Sequence, residues 1–329
     1  MNWNGKSVLV TGAGGFIGSH LVERLVTAGA KVRAFIRYTS RGDVGNLAHV
    51  PKQVFGSLEL VRGDLRDVEA VRGAAKGVDT IFHLGALIAI PYSYVNPREV
   101  AEVNMMGTFN VLAAARSEGV RRLVHTSTSE VFGTARYVPI DEAHPLQGQS
   151  PYSASKIGAD KLAESFFRSF DTPVVTVRPF NTYGPRQSAR AIIPTIISQA
   201  LTRDEVKLGS LDPSRDLLFC TDTAEGFVKA ASADAALGHE INLGTGVGVT
   251  IGELAQRIFK IVGKSPKITT DTQRVRPEKS EVLRLLAANA KAKDLLGWTP
   301  TVALDDGLAK TVAWVKDHLH LFRPDEYTV

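Results

Sequence analysis

One run, Thr11-Gly12-Ala13-Gly14-Gly15-Phe16-Ile17-Gly18, constrains this chain more than any other. Gly12, Gly15 and Gly18 fall three apart. They lie between the apolar segment Ser7-Val8-Leu9-Val10 and a stretch of helical periodicity reaching Thr27. A strand that turns on glycines into a helix meets three physical demands. The turn is tight, the backbone can approach a pyrophosphate, and the helix packs close to the strand. The helix N-terminus then offers free N–H groups and its dipole to an anion. Glycine-rich turns also occur with no ligand, so the strand–turn–helix setting gives the motif its weight.

The rest of the first half repeats that alternation. Apolar, β-branched runs predict strands at Ser7–Thr11, Lys31–Ile36, Leu58–Arg62, Thr80–His83, Arg122–Ser127 and Val174–Arg178. Between them, Gly18–Thr27, Val68–Ala75, Val100–Ser117 and Ser153–Phe170 have helical spacing. Short, nearly continuous apolar strands suit a parallel sheet buried on both faces. Strand and helix in series predict an α/β fold, a Rossmann-type doubly wound parallel sheet. After about residue 180 proline and arginine become frequent, and helices are expected near Ile251–Val262 and Leu308–Leu319. This reads as a smaller C-terminal α/β substrate domain, residues 181–215 and 245–329. Residues 1–180, with a returning segment at about 216–244, form the dinucleotide-binding domain.

Composition narrows the classes. With 44% hydrophobic residues in 329, the chain folds rather than staying disordered. No run approaches the roughly 18 apolar residues that cross a bilayer, and no basic-then-apolar leader opens the chain. The expectation is a cytoplasmic protein with no membrane partner. The single cysteine, Cys220, excludes intrachain disulfides and multi-cysteine metal sites, and reads as a core residue. No metal is expected. A net charge of +5 is compatible with anionic partners. Nucleic acid is not among them, because no basic stripe interleaved with aromatics, helix-turn-helix or zinc spacing is present.

The end of the second strand bears on cofactor choice. A carboxylate there binds the ribose hydroxyls of NAD, and an arginine accommodates the 2′-phosphate of NADP. The sequence reads Ile36-Arg37-Tyr38-Thr39-Ser40-Arg41, with Ile36 where an acid is expected. Arg37, Ser40 and Arg41 are candidate phosphate ligands, or a solvated loop, and NADP is favoured over NAD. Asp64, followed by Leu65, is placed to reach the adenine or to cap the next helix.

Tyr152-Ser153-Ala154-Ser155-Lys156 sets a tyrosine and a lysine one helical turn apart. An ammonium beside a phenol favours the phenolate, which lowers the tyrosine pKa and suits it to deprotonate an alcohol. Thr126-Ser127-Thr128-Ser129-Glu130 closes the strand and supplies hydroxyls.

In order and spacing these residues resemble the extended short-chain dehydrogenase/reductases, the nucleotide-sugar epimerases and dehydratases. The resemblance continues through His83-Leu84-Gly85-Ala86, Asn104, Arg178 to Arg186, Arg215-Asp216, Asn242-Leu243-Gly244 and Leu295 to Trp298. It implies Tyr152 as base, Lys156 as its tuner and ribose ligand, and Thr128 as the hydroxyl orienting the sugar. It implies a nucleotide-diphosphate sugar substrate, with Asn181, Arg215, Arg276 and Asn242 near the diphosphate and nucleotide, and Arg186 or Arg190 as further candidates. Asn181 capping a turn, or Arg215 pairing with Asp216 or Asp222, are the structural readings of the same residues. The helices near 100–117 and 153–170 resemble those that form a four-helix homodimer interface, unless Leu162, Phe166 and Phe167 are core.

The residues after Thr128 separate two branches. Epimerases of the family generally have nothing acidic at Glu130, whereas 4,6-dehydratases carry a glutamate that takes the C5 proton. Relatives acting on glucose have aspartate before that glutamate, where this chain has Ser129. Glu130 is then expected to take the C5 proton and donate it to the departing O6, with Ser129 or water as relay. Phe132 stands where relatives often have tyrosine. Ser129-Glu130, Ile90–Ser93, Leu146–Pro151 and Pro185–Arg190 resemble the N-acetylglucosamine nucleotide 4,6-dehydratases of legionaminic-acid-type pathways. That implies UDP- or GDP-N-acetylglucosamine. A C4 epimerase and a non-catalytic NADP-sensing protein are the alternatives; the second typically lacks the tyrosine or lysine found here.

Overall fold

The strands Ser7–Thr11, Lys31–Arg37, Glu59–Gly63, Thr80–His83, Arg122–Thr126, Val174–Pro179 and Glu240–Leu243 form one seven-stranded sheet. Their order across it is 240–243, 174–179, 122–126, 80–83, 7–11, 31–37, 59–63, and every neighbouring pair is parallel. The computed structural model describes residues 2–271 and 282–322.

Parallel neighbours require crossovers, and helices supply them on both faces. Val8 and Val10 point into one apolar cluster with Leu21 and Phe227, and Leu9 into another with Leu112 and Leu123. That alternation explains why the strand is apolar throughout. Strand order reverses between 7–11 and 80–83, so their carboxyl ends splay and leave a crevice for ligand.

The expected strands and helices form with small boundary shifts. The segment 100–117 differs. Instead of one regular helix, Pro97–Ala101 runs into a wider π-helical turn, Glu102–Met106, and then Gly107–Ser117. The π turn carries the buried Asn104. Its side-chain amide pairs with the backbone of Leu87 at 2.8 and 2.9 Å and donates to Ser155 Oγ at 2.9 Å. A π turn of this kind commonly marks a functional site. Here it clamps the loop after strand 80–83 to the helix Pro151–Phe170.

Past residue 180 the chain builds a smaller layer. Ser214–Phe219 pairs with Asn181–Tyr183, Gly248–Thr250 and Arg284–Leu285. A second apolar cluster joins the helices Ile192–Thr202, Ile251–Val262 and Leu304–Asp317. The chain leaves this layer at Phe219. Helix Cys220–Ser232 packs on helix Phe16–Thr27, and Glu240–Leu243 completes the large sheet. Cys220 is fully buried in the second cluster. Phe166 is core, against Phe109 and Phe170, while Leu162 and Phe167 are partly buried. Among the described residues no helix is long and apolar enough to cross a membrane, and no group of His, Cys, Asp and Glu could hold a metal ion.

Three buried histidines make the fold acid-sensitive. Burial, then the charge of Arg186, lowers His20 to about 4, and burial likewise lowers His83 and His125. The folded pKa lies below the unfolded one, so the unfolded chain binds protons first as pH falls. Stability is therefore complete above about pH 6.5 and declines toward pH 4, by on the order of 3 kcal/mol from His20 alone. The urea midpoint should fall clearly between pH 7 and pH 4.5; an unchanged midpoint would count against neutral buried histidines.

Candidate active site

The crevice opens into one long cavity of about 890 Å³. It runs from Gly12–Gly18, past the ends of strands 31–37, 59–63, 80–83 and 122–126, to Arg190 and Arg215. Its volume is at the upper end of the range for small-molecule sites.

At one end the glycine turn leaves no room for side chains. Gly12 has φ +69°, and a Cβ there would meet Gly85 N at 2.7 Å; a Cβ at Gly18 would sit 2.1 Å from Gly12 O. Helix Phe16–Thr27 starts after Gly15 with no side-chain cap. Gly12, Gly15, Phe16, Ile17 and Gly18 all line the cavity. Uncapped N–H groups beside a cradle that Cβ atoms would fill fit a dinucleotide pyrophosphate.

Around this end some of the candidate residues line the cavity and others do not. Arg37 lines the cavity, and its Nη2 lies 3.6 Å from Glu99 Oε1. Ser40 and Arg41 are exposed and do not line the cavity; Thr39 and Asp43 do. The reason is local. Thr39 O accepts from Gly42 N and Thr39 Oγ1 from Asp43 N, and this turn carries residues 40 and 41 outward. Asp64 and Leu65 line the cavity. Arg66 holds the Asp64 carboxylate with two hydrogen bonds, at 3.0 and 2.7 Å, lowering its pKa to about 2. The cap of helix Val68–Ala75 is Asp67, not Asp64.

The middle of the cavity brings the reactive groups together. Ser127, Thr128, Ser129, Glu130 and Tyr152 line it. Thr128 caps the short turn Ser129–Phe132, accepting from Glu130 N at 3.2 Å. Tyr152 enters on the first turn of helix Pro151–Phe170, which Ser150 and Ser153 start with a reciprocal capping box. Lys156 does not line the cavity; it lies one turn behind Tyr152, its Nζ donating to Thr126 O at 2.6 Å.

The tyrosine titrates differently from expectation. Burial raises the Tyr152 pKa, a hydrogen bond with Thr128 lowers it, and the charges of Glu130 and Asp160 raise it further. Lys156 itself is brought down to about 8 by burial, against the opposing pull of Asp160. Desolvation outweighs the expected effect of the ammonium, so the phenol rests protonated. One consequence is measurable: as pH rises through about 8, Lys156 loses its charge, and turnover should decline on that limb. A pH–rate profile flat to pH 10 would contradict it.

At the far end Asn181, Arg190 and Arg215 line the cavity. Asn181 Oδ1 is buried with no hydrogen-bond partner, a group that awaits a donor. The Asp216 carboxylate is taken by Thr245, Gly246 N and Ala287 N, and Asp222 by Thr301 and Val302 N. Arg186 does not reach the cavity: it is buried, donating to His20 Nδ1 at 2.6 Å and Glu23 Oε2 at 2.7 Å. Asn242 also lies outside the lining, fully buried, donating to Ile140 O at 3.1 Å. Strand 240–243 is an edge of the large sheet, and there Asn242 anchors the loop at 140. Phe132 packs in a small apolar cluster with Ile140 and Phe180 rather than in the cavity. Arg276 lies outside the described residues. Gln187, within the Pro185–Arg190 run, and Ser210, which no motif in the sequence signals, line this end too.

Comparison with known proteins identifies the family. Residues 9–311 match the sequence profile of the family described as GDP-mannose 4,6 dehydratase. The UDP-glucose 4-epimerase of Mycolicibacterium smegmatis is 35% identical over 94% of this chain and 98% of its own length. A dTDP-glucose 4,6-dehydratase of an Actinoplanes species is 32% identical, over 94% and 97%. Among solved structures, DesIV, a dTDP-glucose 4,6-dehydratase from Streptomyces venezuelae with NAD and TYD bound, superposes with TM-score 0.87 at 31% identity, covering 97% of this chain and 99% of that one. Pal from Bacillus thuringiensis gives TM-score 0.85 at 32% identity, over 95% and 99%.

Proposed function

Because the chain belongs to the GDP-mannose 4,6-dehydratase family, among the extended short-chain dehydrogenase/reductases that act as nucleotide-sugar dehydratases and epimerases, we propose that it is a nucleotide-sugar 4,6-dehydratase taking UDP- or GDP-N-acetylglucosamine. The observation that carries this reading is Glu130 on the cavity wall, two residues beyond Thr128 and close enough to Tyr152 for its charge to act on the phenol.

The cofactor, when bound, supplies the hydride acceptor and donor. Gly12, Gly15, Phe16, Ile17 and Gly18 would hold its pyrophosphate, Asp64 and Leu65 its adenine side, and Lys156 its ribose. Arg37 favours NADP, though Glu99 beside it tempers that preference. Thr128 orients the C4 hydroxyl while Tyr152 takes its proton. The C4 ketone acidifies C5–H, and Glu130 removes that proton. Protonated Glu130 then gives it to O6, which leaves as water, through Ser129 or a bound water. The hydride that the cofactor would supply accounts for the C6 methyl, and a proton equivalent to the one taken from O4 would restore C5–H, so the sequence balances as the loss of one water. The sequence is redox neutral. Asn181, Arg190 and Arg215 bind the diphosphate sugar, with Arg276 a further candidate.

A C4 epimerase is the second reading, supported by the Mycolicibacterium relative. Incubation with UDP- and GDP-N-acetylglucosamine, UDP-glucose and dTDP-glucose, read by mass and NMR, separates them. A product lighter by one water with a C6 methyl supports the dehydratase; a C4 epimer of unchanged mass overturns it. Dissociation constants for NADP and NAD decide the cofactor, and a clear NAD preference sinks the NADP assignment. Exposed Met106, Phe109 and Phe170 on the helices 107–117 and 151–170 and the π turn before them support a homodimer, which sedimentation tests.

A further inference from the structure

Behind the wall that carries Thr128 and Tyr152 lies a closed polar cluster that the chemistry above leaves unused. Asp160 is its centre. It follows Lys156 by one helical turn, so Tyr152, Lys156 and Asp160 stack along one face of helix Pro151–Phe170. Asp160 is 2% exposed. Its Oδ1 accepts from His125 Nε2 at 3.0 Å. Its Oδ2 accepts from Ser127 Oγ at 2.6 Å and Arg178 Nη2 at 3.1 Å. Arg178 also reaches Glu240 at 3.3 Å, and His83 stacks on His125 at 5.9 Å. Every charged group around Asp160 is thus accounted for: Lys156 on its own helix, and His125, Arg178, Glu240 and His83 from four neighbouring strands.

The position of this cluster matters. Lys156 bonds Thr126 O, and Asp160 bonds Ser127. These two links tie the helix bearing Tyr152 to the strand end bearing Thr128, on either side of one peptide. A misplacement of about 1 Å between such groups costs on the order of 100-fold in rate.

We propose that Asp160 is a positioning residue for the oxidation step. Through Ser127 it fixes Thr128 and Glu130 against Tyr152, and its charge is the buried partner that keeps Lys156 an ammonium. The proposal rests on Tyr152 and Lys156 as the oxidising pair, and is indifferent to whether dehydration or epimerisation follows. Burial drives the Lys156 pKa down and Asp160 opposes it; the same charge helps to raise Tyr152. Loss of the Asp160 charge therefore moves both titrations toward lower pH.

The test uses Asp160→Asn, which keeps the shape but not the charge, and Ser127→Ala, which keeps the charge but breaks the link. Cofactor reduction by UDP-N-acetylglucosamine, UDP-glucose and dTDP-glucose is followed from pH 6 to 10. Ser127→Ala should lower kcat ~10-fold with the pH limbs in place. Asp160→Asn should shift the alkaline limb set by Lys156 to lower pH by about half a unit or more, with KM and cofactor affinity within about threefold. A wild-type profile in folded Asp160→Asn, or wild-type kcat in Ser127→Ala, overturns the proposal. If Asp160→Asn does not fold, Ser127→Ala decides. An NMR titration of 15N-labelled Lys156 needs no substrate: an unmoved titration in Asp160→Asn, or in Asp160→Glu one that differs from wild type as much as the Asn variant does, is also overturning. If wild type reduces cofactor with none of these sugars, the functional reading fails while the titration still tests Asp160.

Discussion

Glu130→Gln is expected to lower formation of the 4-keto-6-deoxy sugar by ~10³-fold or more, while nucleotide sugar still reduces the bound cofactor. Glutamine matches the shape of glutamate but cannot take the C5 proton. The tie that places this residue is its backbone N–H on Thr128 Oγ1, which the substitution leaves intact. Thr128 and Tyr152 stay in place. The Glu130 charge is one of the influences that raise Tyr152, so its removal does not hinder the proton transfer from O4. Single-turnover absorbance of the reduced nicotinamide, set beside product analysis, reads the two steps separately. Equal loss of both would assign Glu130 to the oxidation or to holding the wall, and the split of roles would be wrong.

The same residues show what a sequence can and cannot carry. The glycine run was readable because each glycine answers a contact set by the local strand–turn–helix: Gly18 meets Gly12 O only six residues away. The parallel sheet was readable because strands buried on both faces must be apolar throughout, as Val8, Leu9 and Val10 are. The phosphate end of the second strand was not fully readable. Arg37 follows from strand register, but whether residues 40 and 41 face in or out depends on a turn closed by Thr39 and Asp43. Asn242 shows a different limit. Its place in the chain resembles a binding position, yet it lies outside the cavity lining, its Nδ2 donating to Ile140 O across a hundred residues. The Tyr152 titration failed for a third reason. Helical spacing gives the Lys156 distance, whereas desolvation comes from elements far apart in sequence. Asp160 carries no signal in the sequence, because a carboxylate one turn beyond a lysine reads as an ordinary helix pair until His125, Ser127 and Arg178 close around it.

Tyr152→Phe should lower kcat by ~10³- to 10⁴-fold, leaving cofactor affinity and KM within about threefold. The substitution removes one oxygen from a side chain that is already 7% exposed, so the ring keeps its packing with Ile90 and Val100. What is lost is the acceptor for the O4 proton and the hydroxyl partner of Thr128. The phenol rests protonated, so oxidation requires it to pass its own proton on to solvent as the C4 hydroxyl donates, a transfer that the neighbouring Lys156 ammonium favours. Phenylalanine interrupts that relay at its first atom. Glu130 lies on the same wall but belongs to the C5 side of the sugar, and cannot substitute without giving up its own proton transfer. Residual turnover should therefore be slow. A variant that keeps more than about a tenth of wild-type kcat would place the base elsewhere.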